Sequence, residues 1–256
     1  MRSFGCFLVD GSPRYGEVRG EGVLLLHQPF WLGLDFSGET RSLGEVTLQV
    51  PVAPSKVIAV GLNYRAHIKE MQRTEIGSPL IWFKAPSSLL PNDGTIEIAF
   101  PEHQTHFEVE LAVVIGRSAK NVSAERALEH VFGYTIGLDV SDRDLQKAEK
   151  QFSRCKSFDT YTPVGPLVHS EVEVSDLEIS LRQNGELKQR ARTSDMIFPV
   201  AQIVAFASRS LTLLPGDLIL TGTPSGVGPI RAGDELVATI EGWPALRNRV
   251  TNAAGN

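Results

Sequence analysis

The chain predicts an α+β protein built around a large, curved or sandwich-like mixed sheet. Two observations carry that expectation. Short β-rich apolar runs bounded by turn residues dominate the sequence, and the helical stretches are few, short and unevenly spaced. The regular strand–helix alternation that a doubly wound sheet requires does not occur.

The elements follow in order. Phe4 to Val9, Tyr15 to Arg19 and Val23 to His27 read as strands, the first two separated by the turn Asp10-Gly11-Ser12-Pro13. Pro51, Pro54 and a denser apolar pattern afterwards mark a boundary near residues 50–56. This divides the chain into a small N-terminal β segment (1–52), a main domain (53–250) and a tail (251–256) that should fray from Asn252. Val57 to Val60 is a strand, followed by a helix from Asn63, its N-cap, to about Gln72. Leu80 to Phe83 and Ile96 to Phe100 are strands flanking Asn92-Asp93-Gly94. The run from His106 to Gly116 is a buried strand, rich in β-branched residues and ended by glycine. Ser123 caps a helix through Val131, before the strand Tyr134 to Val140. Ser141 opens another helix, with Asp144 placed as in a capping box. Val164 to Val168 is extended, and Leu177 to Gln183 pairs with Glu186 to Arg192 across Asn184-Gly185, a strong hairpin signal. Pro199 suits the first turn of a helix reaching about Arg209. Leu218 to Leu220, Glu235 to Ile240 and Leu246 to Val250 close the sheet pattern.

Composition excludes several classes of function. The chain has 256 residues, a net charge of −5 and a pI near 5.7, which leaves no electrostatic footprint for nucleic acid or an anionic membrane. Cys6 and Cys155 are too few for a disulfide scaffold and suit a reducing cytoplasm. Gly22 to Phe36, the most apolar early segment, contains His27, Pro29 and Asp35 and does not read as a membrane span or signal sequence.

Chemistry enters at His106-Phe-Glu-Val-Glu-Leu. Side chains alternate along a strand, so Glu108 and Glu110 point the same way. Two dehydrated carboxylates side by side repel, and one of them protonates unless a cation lies between them. Asp139 ends the apolar strand Tyr134 to Leu138 just before a helix and supplies a third hard oxygen. Three carboxylates, with no cysteine or histidine ligand beside them, favour Mg²⁺ (or Mn²⁺, sometimes Ca²⁺) over zinc, with positions left for water or substrate. A single acid here would more often pair with Arg143, Lys84 or Lys156; the three together point to a metal.

Glu108-Val-Glu110, Gly-Leu-Asp139-Val-Ser-Asp-Arg143-Asp-Leu-Gln146, Lys156-Ser-Phe-Asp-Thr and Gly222-Thr223-Pro224-Ser-Gly226-Val-Gly228 occur in that order. The series resembles the fumarylacetoacetate hydrolase family, which includes acylpyruvate hydrolases, oxaloacetate decarboxylases and hydroxyheptadienedioate isomerases. The resemblance spans about residues 56–250. It implies a mixed β-sandwich roll, usually a homodimer, with Mg²⁺ or Mn²⁺ held by Glu108, Glu110 and Asp139.

His67 and Glu70 stand three apart on the helix after Gly61, where a carboxylate would fix the imidazole tautomer and raise its basicity. Alone, such a pair is more often a surface contact. The resemblance makes Asn63-Tyr-x-x-His67-x-x-Glu70 a lid that carries a catalytic dyad, with Gly61 and Gly77 as hinges. It also makes Lys156 an oxyanion-binding pocket residue and Thr223 a substrate contact. Lys84 is a further candidate anion contact, Gln146 can orient water or substrate, and Arg143 braces the metal-binding carboxylates. His103 and His106 receive no role.

The expected reaction starts from a small 2-oxo acid whose enolate a metal stabilises. Acylpyruvate C–C hydrolysis or oxaloacetate decarboxylation leads. Hydroxyheptadienedioate isomerisation and related decarboxylation in aromatic catabolism come next, and a metal- or ketoacid-binding protein without turnover stands outside both. Selectivity for the acyl tail is expected in the loop from Gln72 to Gly77 and in residues 147–155.

Overall fold

The structure is a computed structural model, and it describes residues 1–74 and 76–254. Among these residues the largest sheet has twelve strands. Its main path runs Phe36–Ser42, Gly22–Leu26, Ser12–Arg19, Arg2–Val9, Thr162–Ser170, Val131–Leu138, Val109–Ile115, Leu218–Leu220, Val57–Gly61 and Leu80–Lys84. Most neighbours are antiparallel, but Leu218–Leu220 runs parallel to Val57–Gly61, so the sheet is mixed as expected. A five-stranded sheet joins Glu186–Arg192, Glu178–Gln183, Glu235–Ile240, Leu246–Asn252 and Thr95–Ile98, and a three-stranded one joins Ser141–Asp142, Thr105–Phe107 and Gly228–Pro229.

The alternation of side chains explains the layering. On the strand Val109–Ile115, the odd-numbered Leu111, Val113 and Ile115 enter a core shared with Ile179, Leu181 and Leu236 of the five-stranded sheet. The helix Val200–Ser210 closes that core with Ile203, Val204 and Ala207. Ala112 and Val114 face the other way, into a second cluster with Phe4, Phe30 and Trp31. Because both faces are covered, the strand is buried along its whole length and reads as an apolar run interrupted only by Glu110. The N-terminal strands extend the same sheet, since Arg2–Val9 pairs with Thr162–Ser170. Hydrogen bonds therefore cross the sequence boundary near residues 50–56.

Asn184 and Gly185 both adopt positive φ (52° and 81°), as a two-residue hairpin turn of type I′ requires. Several boundaries differ from the sequence reading. The helix after Gly61 is shorter, Arg65–Glu70, and Asn63 does not cap it: its buried amide donates to the carbonyls of Thr221 and Phe198 and accepts the Phe198 N–H. Ser141 lies in a short strand, and Asp142 caps the helix Arg143–Glu149 by accepting the Leu145 N–H. Asp144 reaches instead to the Gln104 N–H. Ser123 makes no side-chain cap, and its helix covers only Ala124–Ala127 before a 3₁₀ turn. The strand Phe36–Ser42, charged and without an apolar run, escaped the pattern. The last strand continues through Asn252, and of the tail expected to fray, Gly255 and Asn256 lie outside the described residues, as does Glu75 of the loop from Gln72 to Gly77. Among the described residues no helix is long and apolar enough to cross a membrane.

Candidate active site

The register of two strands assembles the acids. Val109 pairs with Leu138 and Glu110 with Gly137, so the residues just beyond, Glu108 and Asp139, come opposite each other. The Asp139 N–H donates to the Glu108 carbonyl at 2.9 Å. Ligand atoms of Glu108, Glu110 and Asp139 all lie within 4.8 Å of one another, and the three residues are 5%, 1% and 0% exposed. Sequence alternation placed the first two on one face; antiparallel pairing added the third.

Cations serve two of the three acids. Arg143 donates to Glu108, and Lys156 donates to Glu108 at 2.7 Å and to Asp139 at 2.6 Å. Lys84 donates to the other Asp139 oxygen at 2.5 Å. Burial alone would raise the Glu108 carboxyl, but Arg143 and Lys156 outweigh it and hold the group well below the usual carboxylate range. Burial likewise works against the Lys156 ammonium, yet Asp139 and Glu108 raise its pKa, so it stays charged. Glu110 stands apart. It accepts one backbone N–H, from Gly222 at 2.6 Å, and among the described residues no side-chain cation pairs with it. Burial, then the nearby Asp139 and Glu108, push its carboxyl well above its ordinary value. The chemistry of this donor set fits a hard divalent cation: three convergent carboxylate oxygens, one of them lacking a countercharge.

The structure gathers the other predicted residues around these acids, with adjustments. Lys84 lies behind the cleft wall; it is 1% exposed and donates to Asp139 and to the Tyr161 carbonyl. Burial lowers its pKa, with Asp139 opposing. Arg143 grips Glu108 and also donates to the Gln146 Oε1 at 2.8 Å, which turns the rest of the Gln146 amide towards the cleft. Lys156 also donates to the Ser141 hydroxyl (2.6 Å) and lies 5.1 Å over the Trp82 ring. The Thr223 hydroxyl donates to the Val109 carbonyl and accepts from Gln189 Nε2, so its side chain lines the cleft with its hydrogen already committed. Gly222 explains the loop's glycine: with φ +99°, an added Cβ would come within 2.7 Å of the Asn63 Cβ. Only glycine lets this backbone N–H reach Glu110.

Above the acids opens a cleft of ≈ 670 Å³ lined by Glu108, Glu110, Lys156, His67, Trp82 and Phe152 among others. His67 Nδ1 lies 3.0 Å from Glu70 Oε2, and the other Glu70 oxygen accepts the Gly226 N–H at 3.0 Å. The helix Arg65–Glu70 and the glycine loop are thereby joined through Glu70. Sequence reasoning missed Gln189, which is buried and ties the Val109 N–H, Thr223 and the Pro224 carbonyl together. It also passed over Trp82, Gln104 and His106, all on the cleft wall. His106 carried a usable signal, since it continues the same-face row of Glu108 and Glu110. Burial, with Arg143 nearby, pushes its imidazole down to about 4.

Comparison with known proteins agrees with this fold. The fumarylacetoacetate (FAA) hydrolase C-terminal family matches residues 56–251. Oxaloacetate tautomerase YisK of Bacillus subtilis (strain 168) is 44% identical over 225 residues, 82% of this chain and 74% of that protein. The solved structure of 5-carboxymethyl-2-hydroxymuconate delta-isomerase from Mycobacterium smegmatis superposes with a TM-score of 0.92 at 38% identity, covering 98% of this chain and 100% of that one. Fumarylpyruvate hydrolase from Pseudomonas aeruginosa, solved with Mn²⁺ and pyruvate, matches with a TM-score of 0.73 at 36% identity, covering 80% of this chain and 92% of that one.

Proposed function

This chain belongs to the fumarylacetoacetate hydrolase family, and on that premise we propose that it is a Mg²⁺- or Mn²⁺-dependent enzyme acting on small 2-oxo acids through an enolate. The leading reactions are C–C hydrolysis of an acylpyruvate and decarboxylation of oxaloacetate. The observation that carries this reading is the buried triad Glu108, Glu110 and Asp139, converging beneath an open cleft with Glu110 left without a countercharge. A divalent ion held there supplies a Lewis acid for the negative charge that develops on the 2-oxo oxygen.

The chain's own groups then divide the work. His67, oriented by Glu70, takes a proton at its free ring nitrogen, either from water aimed at the remote carbonyl or from C3 of the substrate. The Lys156 ammonium, whose three hydrogens rest on Glu108, Asp139 and the Ser141 hydroxyl, offers its positive charge to an oxyanion. Arg143 holds Glu108 in place, and the Gln146 amide orients a water or substrate oxygen. Trp82 and Phe152, with ring centroids 5.2 Å apart, keep one wall of the cleft dry.

A second reading is keto–enol tautomerisation of oxaloacetate. It is favoured by the placement of an imidazole base in the cleft beside the acids, and by the name of the B. subtilis relative. The deciding experiment assays pyruvate release from acetylpyruvate and oxaloacetate, and enol–keto exchange of oxaloacetate, with Mg²⁺ and with EDTA. Pyruvate release that EDTA abolishes is the expected result. Exchange without release would select the tautomerase. Loss of both reactions, with no isomerisation of dienedioates, would leave a ketoacid-binding protein.

A further inference from the structure

We propose that Gln189 is a positioning residue for the acidic floor: its amide replaces a missing rung of the sheet, which lets the glycine loop aim the Gly222 N–H at Glu110. The inference rests on the metal reading above and adds a residue that touches neither metal nor substrate.

The strand ladder shows what is missing. Val114 pairs with Leu218, Val113 with Ile219 and Ala112 with Leu220. One step on, the Thr221 N–H still donates to the Leu111 carbonyl at 3.0 Å. Bonded pairs of an antiparallel ladder recur at every second residue, so the next would join the backbones of Val109 and Thr223. Two side chains stand there instead. Gln189 Oε1 accepts the Val109 N–H at 3.0 Å, and the Thr223 hydroxyl donates to the Val109 carbonyl at 2.9 Å. Gln189 Nε2 in turn donates to Thr223 Oγ1 at 2.9 Å and to the Pro224 carbonyl at 2.8 Å. A side-chain amide has an acceptor at one end and two donors at the other, which is the set these three partners demand. With the rung supplied from outside, the loop turns at Gly222, whose N–H meets Glu110 Oε2 at 2.6 Å.

The strand that carries Gln189 is shaped for this reach. Glu186–Arg192 is the outer strand of the five-stranded sheet, and most of its residues are exposed. Gln189 is its one buried residue, at 0% exposure. Beside it the register breaks: Leu181 pairs with Gln189 but Arg182 with Leu187, so Lys188 is the extra residue of a β-bulge. A bulge re-aims the side chains next to it. The Lys188 carbonyl also lies against Gly226, where an added Cβ would collide with it. Bulge and amide together seat the glycine loop on the second sheet, while the same amide holds the backbone between Glu108 and Glu110.

Calorimetric titration with Mn²⁺ and residue-resolved amide hydrogen exchange of the metal-free protein test this. Gln189→Met, which keeps the length of the side chain and loses all three bonds, should weaken Mn²⁺ binding at least tenfold and speed exchange at Val109 and Gly222. Gln189→Asn, whose amide is one methylene too short to serve both segments, should weaken it at least threefold and carries the same comparison should Gln189→Met not fold. Ser208→Ala is the control. Its hydroxyl is equally buried and bonded, to the Ala205 carbonyl and the Val122 N–H, but belongs to the helix Val200–Ser210. It should lower the melting temperature and leave Mn²⁺ affinity and Gly222 exchange as they are in the wild type. Mn²⁺ affinity within twofold of wild type in the Gln189 variant would overturn the inference, as would an equal loss in Ser208→Ala or unchanged exchange at Gly222. A wild-type protein that binds no Mn²⁺ would remove the metal reading. Exchange at Gly222 then decides alone: faster in the Gln189 variant than in Ser208→Ala upholds the positioning role, and equal rates refute it.

Discussion

The floor of the cleft and its lid are built on opposite physical plans. The floor is made of strand ends inside a sheet covered on both faces, where Glu108, Glu110 and Asp139 are held by ladder register and by charge-assisted bonds from Lys84, Lys156 and Arg143. The lid is a six-residue helix, Arg65–Glu70, whose N-cap makes no side-chain bond and which is followed by an exposed stretch from Met71 to Thr74. Asn63 anchors its base, and the Glu70 carboxylate ties its far end to Gly226. So short a helix has little stability of its own and depends on these anchors. The contrast teaches that the charged groups are held by ladder register and buried ion pairs, while the proposed proton-transfer pair sits on a short helix held only by a few side-chain anchors.

The comparison can be broken most decisively at the floor. Glu108→Gln should lower metal-dependent turnover by roughly 10⁴-fold or more, because it removes a ligand and unbalances the buried cations Arg143 and Lys156. Circular dichroism should show a retained fold, and residual activity near the wild-type level would end the metal assignment.

At the lid the effect should be smaller and selective for the reaction. His67→Ala should slow C–C hydrolysis by roughly 10³-fold, within the range of a lost general base. Glu70→Gln should slow it by only about tenfold, since the imidazole remains while its orientation loosens. Both variants should keep more of the enol–keto exchange than of the hydrolysis. Equal loss of the two reactions would deny His67 the role of activating water.

The smallest effect sharpens the floor itself. The pKa of Glu110 is raised above its ordinary 4.5 by burial and then by Asp139 and Glu108. Folded-state stability tied to this group is therefore fully present below pH 4.5 and drains away as pH rises towards the raised value. Metal-free protein should lose at most about 1.4 kcal/mol per pH unit over that window from this group. Glu110→Gln should flatten the dependence in thermal melts while abolishing Mg²⁺ binding. A melt whose pH dependence in this range is the same in both proteins would show that folding does not raise the Glu110 carboxyl above its ordinary value.

The legibility of this chain follows from the range of the interactions involved. The hairpin at Asn184-Gly185, the strand Val57–Gly61 and the shared face of Glu108 and Glu110 depend on local geometry, and each was visible in residue order. Asp139 was found from the end of an apolar run as a third hard oxygen for the glutamates, and the family resemblance supported that grouping. Asn63 and Ser141 misled because their side chains can cap a helix but here serve distant backbone and a buried ammonium. The burial of Lys84 was not legible because it is a property of the packed sheet, and Gln189 stayed hidden because its partners lie far away in sequence.

By itself the sequence determined the class of fold, the acidic chemistry and the pairing of His67 with Glu70, since alternation and helical spacing are local rules that need no partner. Only the tertiary structure decided which cations sit on which acids, which left Glu110 without one, and which side chains complete the sheet at Val109. Those outcomes follow from strand register and burial, and neither exists until distant segments pack together.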